Sequence, residues 1–361
     1  MKNVGLLTFH QVANYGAVLQ CYALRKAIEE SNYNCAVINY HCEKLYKNEK
    51  LFKINKKVVI NFMKFISQGT GNAIKRKKFD AFLKSECGIK SGVVKSFNGT
   101  QYEALVVGSD QVWNLKLTDM DYTYFLDKIE NKNKIAYAAS FGEDGICINE
   151  EQKMLSLIRK FKHVSMREKS GTEYLRKNLI VARTVCDPVF LLTKNEWLEI
   201  VPEKRIESRE YVLVYCIEKS DTVFNFAKKM AKKNNCDVIY LNQNLIGRIE
   251  GLQYRMGVGP KEFLWYIKNA RLIVTNSFHG TSLSIIFQKD FYCDIMWHGK
   301  ENNRIKNILD LMGMQNRTIQ KIGKDGLEQE KIEWENIEKR VDLMRADSLD
   351  FLKQALSKGK A

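Results

Sequence analysis

With 361 residues, 45% of them apolar, the chain is long enough for two domains of ordinary size, and its composition excludes global disorder. It holds three prolines and no Gly/Ser-rich linker, and no apolar run approaches the length of a membrane span. Nine scattered cysteines without a C-x-x-C pair show no zinc framework and argue against a disulfide scaffold, while a net charge of +16 keeps anionic partners in play.

The start, Met1-Lys2-Asn3, runs straight into Val4-Gly5-Leu6-Leu7-Thr8. This is too short and too poorly flanked for a signal peptide, so a cytoplasmic location is expected. Val4 to Thr8 reads as a first strand. A polar turn through Asn14-Tyr15-Gly16 follows, then Ala17, Cys21, Leu24 and Ile28 recur at helical spacing, and Cys35 to Asn39 reads as a second strand. A strand, turn, helix and strand in this order open a parallel, doubly wound sheet. Ligands bind such sheets at the carboxyl ends of the strands, which is where Asn14, Tyr15 and Gly16 fall. The turn is not G-x-G-x-x-G, so no dinucleotide is indicated; Gly16 on its own can equally be a freedom to turn.

From Glu43 to about Ser85 the text becomes basic and helical. Twelve Lys and Arg stand against Glu43, Glu49 and Asp80 between 43 and 84. Ile54, Val58, Phe62 and Phe65 share one face. The segment reads either as a solvated surface helix or as a basic amphipathic helix that rests on an anionic membrane or covers a cleft. It lacks the interleaved aromatics of a nucleic-acid platform, and no nucleic acid is expected.

Ala104 to Val107 is a buried strand that ends in Gly108-Ser109-Asp110-Gln111-Val112-Trp113-Asn114. Asp110 can accept from sugar hydroxyls, serve as a base, or cap the next segment. Ile135 to Ser140 is the next strand. Asn149 is placed to cap a helix to about Phe161, with Met154, Leu155, Ile158 and Phe161 inward. Val164-Ser165-Met166 is a short strand ending at Arg167-Glu168. Arg167 is a fixed cation able to hold phosphate or carboxylate bidentately, or to form an ion pair within the protein. Asp187 before Pro188 is held extended and reads as a structural acceptor.

The pattern then repeats. Tyr211 to Ile217 starts a second sheet, followed by a helix near 221–233, a strand at 237–241, a helix at 261–269, a strand at 272–275, a helix from Thr281 and a strand at 291–295. Arg304 to Met312 is helical, and about 330–356 makes a charged C-terminal helix or pair that packs back. The expected boundaries are 1–190 for the first Rossmann-like domain, with a basic insertion at about 43–90. A second such domain spans 191–325 and a helical segment 326–361. Two doubly wound halves facing a cleft describe a GT-B-like α/β fold.

One stretch stands out, Thr275-Asn276-Ser277-Phe278-His279-Gly280-Thr281. A buried strand runs into a tight turn and a helix start, which directs backbone N–H groups at one spot and suits an anion. Ser277 and Thr281 can add hydroxyl donors. His279 adds a side chain whose ordinary pKa suits proton transfer near neutrality. Helix capping with a bystander histidine is the plainer alternative.

Several of these segments together resemble the polysaccharide pyruvyl transferase family, over a span from about Val4 to about Met312. The resemblance rests on Asn14-Tyr15-Gly16-Ala17 with Leu19-Gln20, Gly108-Ser109-Asp110-Gln111-Val112-Trp113, Ser165-Met166-Arg167-Glu168, Asp187-Pro188-Val189-Phe190 and Ser277-Phe278-His279-Gly280-Thr281. It implies a GT-B-like enzyme. Such an enzyme moves an enolpyruvyl-derived unit from phosphoenolpyruvate to sugar hydroxyls of a surface polysaccharide or its lipid-linked precursor. A cyclic pyruvate ketal and phosphate are left. It further implies His279 as general acid or base and Asp110 as the group that orients or deprotonates the acceptor. Arg167 and the start at Gly280-Thr281 become contacts to the donor's anionic groups. Ser277, Asn14, Tyr15, Gly16, Ser109 and Gln111 become substrate contacts, with Arg304, after Asn302-Asn303, a second anion contact. The chemistry calls for no metal and no cofactor beyond phosphoenolpyruvate as co-substrate. Two other functions stay open: a GT-B-type glycosyltransferase using a sugar nucleotide, and a non-catalytic basic protein that binds glycan or nucleic acid.

Overall fold

Short apolar runs alternate with amphipathic helices along this chain, and most such runs form parallel strands. The structure is a computed structural model that describes residues 2–45, 62–89, 92–130, 133–142, 146–242, 248–297, 300–322 and 331–357. By internal contacts the chain forms two compact units. One comprises Met1–Lys53, Ala81–Leu192 and Leu343–Ala361, the other Ile54–Asp80 and Thr193–Asp342.

In the first unit the elements are β1 (Lys2–Leu7), α1 (Tyr15–Glu30), β2 (Tyr33–Val37), the end of α2 (Phe62–Ser85), β3 (Ala104–Val107), α3 (Leu115–Thr118), β4 (Asn133–Ala139), α4 (Glu151–Ile158), β5 (His163–Met166), α5 (Lys169–Lys177) and β6 (Arg183–Thr184). The strands pair in parallel in the order β2-β1-β3-β4-β5-β6. The chain winds outward from β1 to β2, then returns to β3 on the other side of β1. The crevice between β1 and β3 is therefore the switch point of this sheet, the place where such sheets take ligands. β3 is buried along its whole length, as a strand covered on both faces must be. Met154, Leu155, Ile158 and Phe161 point into the core as their spacing predicts. Asn149 does not cap α4: a 3-10 turn over Ile148–Glu150 precedes that helix, and its N-cap is Glu150 without a side-chain bond.

The second unit holds α6 (Lys194–Leu198), β7 (Tyr211–Tyr215), α7 (Asp221–Lys233), β8 (Asp237–Leu241), β9 (Gln253–Arg255), α8 (Pro260–Asn269), β10 (Leu272–Thr275), α9 (Phe278–Ile286), β11 (Phe291–Cys293), the short antiparallel pair β12 (Met296–Trp297) and β13 (Lys300–Glu301), α10 (Asn303–Met312) and the start of α11 (Trp334–Ser357). Its main sheet runs β11-β10-β7-β8-β9, again parallel throughout. Here the switch point lies between β7 and β10. Ile305, Ile308, Leu309 and Met312 form the buried stripe of α10. β9 escapes sequence reading because three residues, Gln253-Tyr254-Arg255, are too few to show a period.

Of the expected basic amphipathic helix, Ile54 and Val58 lie outside the described residues. In the described part of α2, Phe79, Phe82 and Leu83 are buried in protein. Arg76 pairs with Asp80 at 3.0 Å and Lys78 with Glu262 at 2.5 Å, so part of the basic excess is matched internally. No helix among the described residues is long and apolar enough to cross a membrane. Cys21, Cys186 and Cys293 are buried and Cys216 is half-buried.

Candidate active site

In the second unit the switch point is built around Thr275, the last residue of β10. Its hydroxyl donates to the Tyr215 carbonyl at the end of β7 and accepts from the Ser277 N–H at 3.0 Å. Asn276 completes the tie. Its Oδ1 accepts from the Ile217 N–H at 2.9 Å, and its Nδ2 donates to the Glu218 carbonyl at 2.9 Å. Both bonds cross from the loop after β10 to the loop after β7, so Asn276 fixes the two lips of the crevice. Sequence reading passed over this role because the partners lie far away in the chain.

Ser277 is the N-cap of α9, extended at φ −100°, with its Oγ accepting from the Gly280 N–H at 3.2 Å. The helix therefore begins at Phe278, three residues before the predicted start at Thr281. The physical reason is this cap, which the three-residue spacing from Ser277 to Gly280 allows. His279 consequently sits in the first helical turn, 9% exposed, with the Phe278 ring edge-on at 5.2 Å. That turn is the positive end of the helix dipole. Gly280 is required by space: a Cβ there would lie 2.5 Å from the Thr275 Oγ1 and 3.1 Å from a Tyr215 ring carbon. Thr281 is fully buried. Arg304 lies in the first turn of α10, whose N-cap Asn302 accepts from the Arg304 N–H at 3.1 Å. α10 packs against α9.

The other expected residues lie in the first unit, at its own switch point. Asn14 caps α1, accepting from the Ala17 N–H at 3.3 Å, and Tyr15 and Gly16 are buried in the first turn of that helix. Gln20 pins the crevice: its Nε2 donates to the Thr8 hydroxyl at 2.8 Å, and its Oε1 accepts from the Ser109 N–H at 3.2 Å. Ser109 is fully buried, with its hydroxyl donating to the Ala138 carbonyl at 3.1 Å. Gly108, at φ +120°, admits no side chain, since a Cβ would fall 2.0 Å from the Tyr137 carbonyl oxygen. The chain emerges from this tight passage at Asp110, which is half-buried and in the left-handed region at φ +68°. Gln111 accepts from the Asn114 amide at 3.0 Å.

Arg167 leaves the end of β5 with its side chain 3% exposed and three carboxylates around it. Its Nε donates to Glu168 at 2.8 Å, and its Nη1 faces Asp187 at 3.2 Å and Asp110 at 3.6 Å. Burial pulls the guanidinium pKa down, but Glu168, Asp110 and Asp187 together more than offset this and raise it. Arg167 is thus a permanent cation outnumbered by carboxylates. Asp187 is spent twice, holding Arg167 with Oδ2 and accepting from the Val189 N–H at 3.1 Å with Oδ1. The structure therefore joins Asp110 and Arg167 in one cluster with the adjacent Glu168, and adds Asp187 as a member that spacing alone does not reveal.

Nearly the whole molecule resembles known sugar-handling folds. It superposes on a proposed UDP-N-acetylglucosamine 2-epimerase from Listeria monocytogenes with a TM-score of 0.50 and 11% identity, over 98% of this chain and 91% of that one. A UDP-GlcNAc 2-epimerase from Neisseria meningitidis gives 0.47 at 11% identity, over 99% and 100%. The glycosyltransferase SnogD from Streptomyces nogalater gives 0.38 at 9%, over 98% of each chain. The first of these shows the fold, which is GT-B-type α/β. No curated protein matches the sequence. The profile of the polysaccharide pyruvyl transferases matches residues 14–293, most of the chain. The chain belongs to the polysaccharide pyruvyl transferase family.

Proposed function

We propose that this protein transfers the pyruvyl unit of phosphoenolpyruvate to two hydroxyls of one sugar, forming a cyclic ketal on a surface polysaccharide or its lipid-linked precursor. The observation that carries the reading, beside family membership, is His279 on the first turn of α9 at the switch point of the second sheet. An anionic donor is favoured beside a helix N-terminus, and a histidine there can move a proton to or from it.

The reaction protonates the methylene carbon of the donor, which leaves cationic character on the adjacent carbon. One acceptor hydroxyl adds there, phosphate departs with the C–O electron pair, and the neighbouring hydroxyl closes the ring. Of the two hydroxyl protons, one ends on the new methyl carbon and the other on phosphate. In this scheme His279 transfers the proton and Arg304 faces an anionic group of the donor. Asp110 accepts from the acceptor hydroxyl. Arg167 acts on Asp110, holding its carboxylate in place at 3.6 Å. Gly280 lets α9 start close against Thr275 and Tyr215, while Ser277 and Ser109 shape the two turns by internal bonds.

The test is phosphate release from phosphoenolpyruvate over a panel of glycans, run alongside sugar-nucleotide consumption. Release is expected with at least one acceptor, and His279→Ala is expected to lower turnover about 10²- to 10⁴-fold with melting unchanged. Consumption of a sugar nucleotide without any phosphoenolpyruvate turnover would overturn the proposal in favour of glycosyl transfer.

A further inference from the structure

A cavity opens in the first unit where the chain leaves β2. Its volume is about 570 Å³, within the roughly 300–1,000 Å³ of small-ligand sites. Tyr40, Glu43, Lys44, Lys95, Asp119 and Asp121 line it. We propose that this cavity is a subsite for a neutral sugar residue of the acceptor glycan. The proposal rests on the reading of a sugar acceptor given above.

Charge selects the ligand class. Two lysines face three carboxylates, with His41 also on the wall, so the lining carries no positive excess. A phosphate or carboxylate ligand would meet net repulsion, which argues against the donor and against a nucleotide. A sugar is suited by the opposite property, acceptors and donors side by side for hydroxyls that do both. The acceptors are also fixed in advance. Tyr40 donates to the Asp121 Oδ2 at 2.7 Å and itself accepts from the Thr123 hydroxyl at 3.1 Å. The Asp121 Oδ1 accepts from the Thr123 N–H at 2.9 Å. A carboxylate held this way orders little further on binding. On the rim, Asp119 is the exposed left-handed C-cap of α3, at φ +58°. Lys44 meets it there at 3.3 Å. Val93, half of it exposed, offers an apolar patch for the face of a pyranose.

The site lies on the same carboxyl edge of the sheet as Asn14. His10 ties the exits of β1 and β2 together, with Nδ1 at 3.0 Å from the Thr8 carbonyl and Nε2 at 3.1 Å from Asn39, the residue before Tyr40. A chain of sugars lying along this edge would reach the switch point.

Saturation-transfer NMR on the full chain tests this with cellobiose, lactose, maltose and N,N′-diacetylchitobiose, and with inorganic phosphate as competitor. At least one disaccharide is expected to bind, phosphate is expected not to compete, and binding is expected to weaken about three- to tenfold in Asp119→Asn, Lys95→Ala and Tyr40→Phe. The first two are surface substitutions that leave the fold intact. Failure of every disaccharide to bind, competition by phosphate, or binding unchanged in all three variants overturns the proposal. The donor reading is scored separately on the wild-type protein: disaccharide binding without phosphoenolpyruvate turnover leaves the subsite standing and sinks the transfer reaction.

Discussion

Gly280→Ala tests the architecture of the histidine turn with a single methyl group. The added carbon would sit 2.5 Å from the Thr275 Oγ1, about 1 Å inside the optimal non-bonded separation. Thr275 cannot yield freely, because its hydroxyl is held by the Tyr215 carbonyl and holds the Ser277 N–H. Releasing both bonds costs about 1 kcal/mol each, and overpacking a full core adds about 1–3 kcal/mol. Alanine returns about 1 kcal/mol over glycine through helix propensity. The net loss is about 2–4 kcal/mol, which lowers the melting transition of this unit by about 5–15 °C. Scanning calorimetry reads it. In a Thr275→Ala background the oxygen is gone, so most of the Gly280→Ala penalty should vanish, giving a large coupling in the double-mutant cycle. A full penalty in both backgrounds, or none in either, would refute the reasoning.

Arg167→Met should destabilise the first unit by about 3–5 kcal/mol, because it removes the cation that the fully buried Asp187 side chain meets at 3.2 Å. A loss under about 1 kcal/mol in urea titration would show that the network holds nothing together. Glu207 gives a pH prediction. Bonds from Arg255 hold its carboxyl below the usual range, more than offsetting partial burial, with the Tyr266 hydroxyl assisting. A depressed pKa stabilises above the unfolded value and loses that contribution as acid reaches the folded value. Glu207→Gln should therefore melt below wild type at neutral pH by about 1–3 kcal/mol, with the two curves converging below about pH 4. A gap that is constant with pH contradicts the assignment.

Much of the fold is legible in the chain because strand and helix periods are local. Ala104 to Val107, Asp237 to Leu241 and Leu272 to Thr275 are apolar runs bounded by turn residues, and they form strands with those bounds. The amphipathic spacing from Asp221 to Lys233 likewise becomes α7. Carboxyl-end placement of Asn14, Asp110, Arg167 and His279 follows from the alternation alone, since in a parallel sheet every strand exits on one edge. What the sequence could not settle is which groups meet. Arg167 reads locally as either an anion-binding cation or an ion-pair partner, and its charge is claimed by Glu168 beside it and by Asp110 and Asp187 from other strand ends. Ser109 reads as a contact and is used up by Ala138 and Gln20. Strand order decided this, because it puts β1 beside β3 and β7 beside β10 and so makes neighbours of residues far apart in the chain. Helix placement needed the tertiary structure too: Ser277 accepts from Gly280 only because the Thr275 hydroxyl, anchored on Tyr215, orients the turn, and that brings His279 into the first turn of α9.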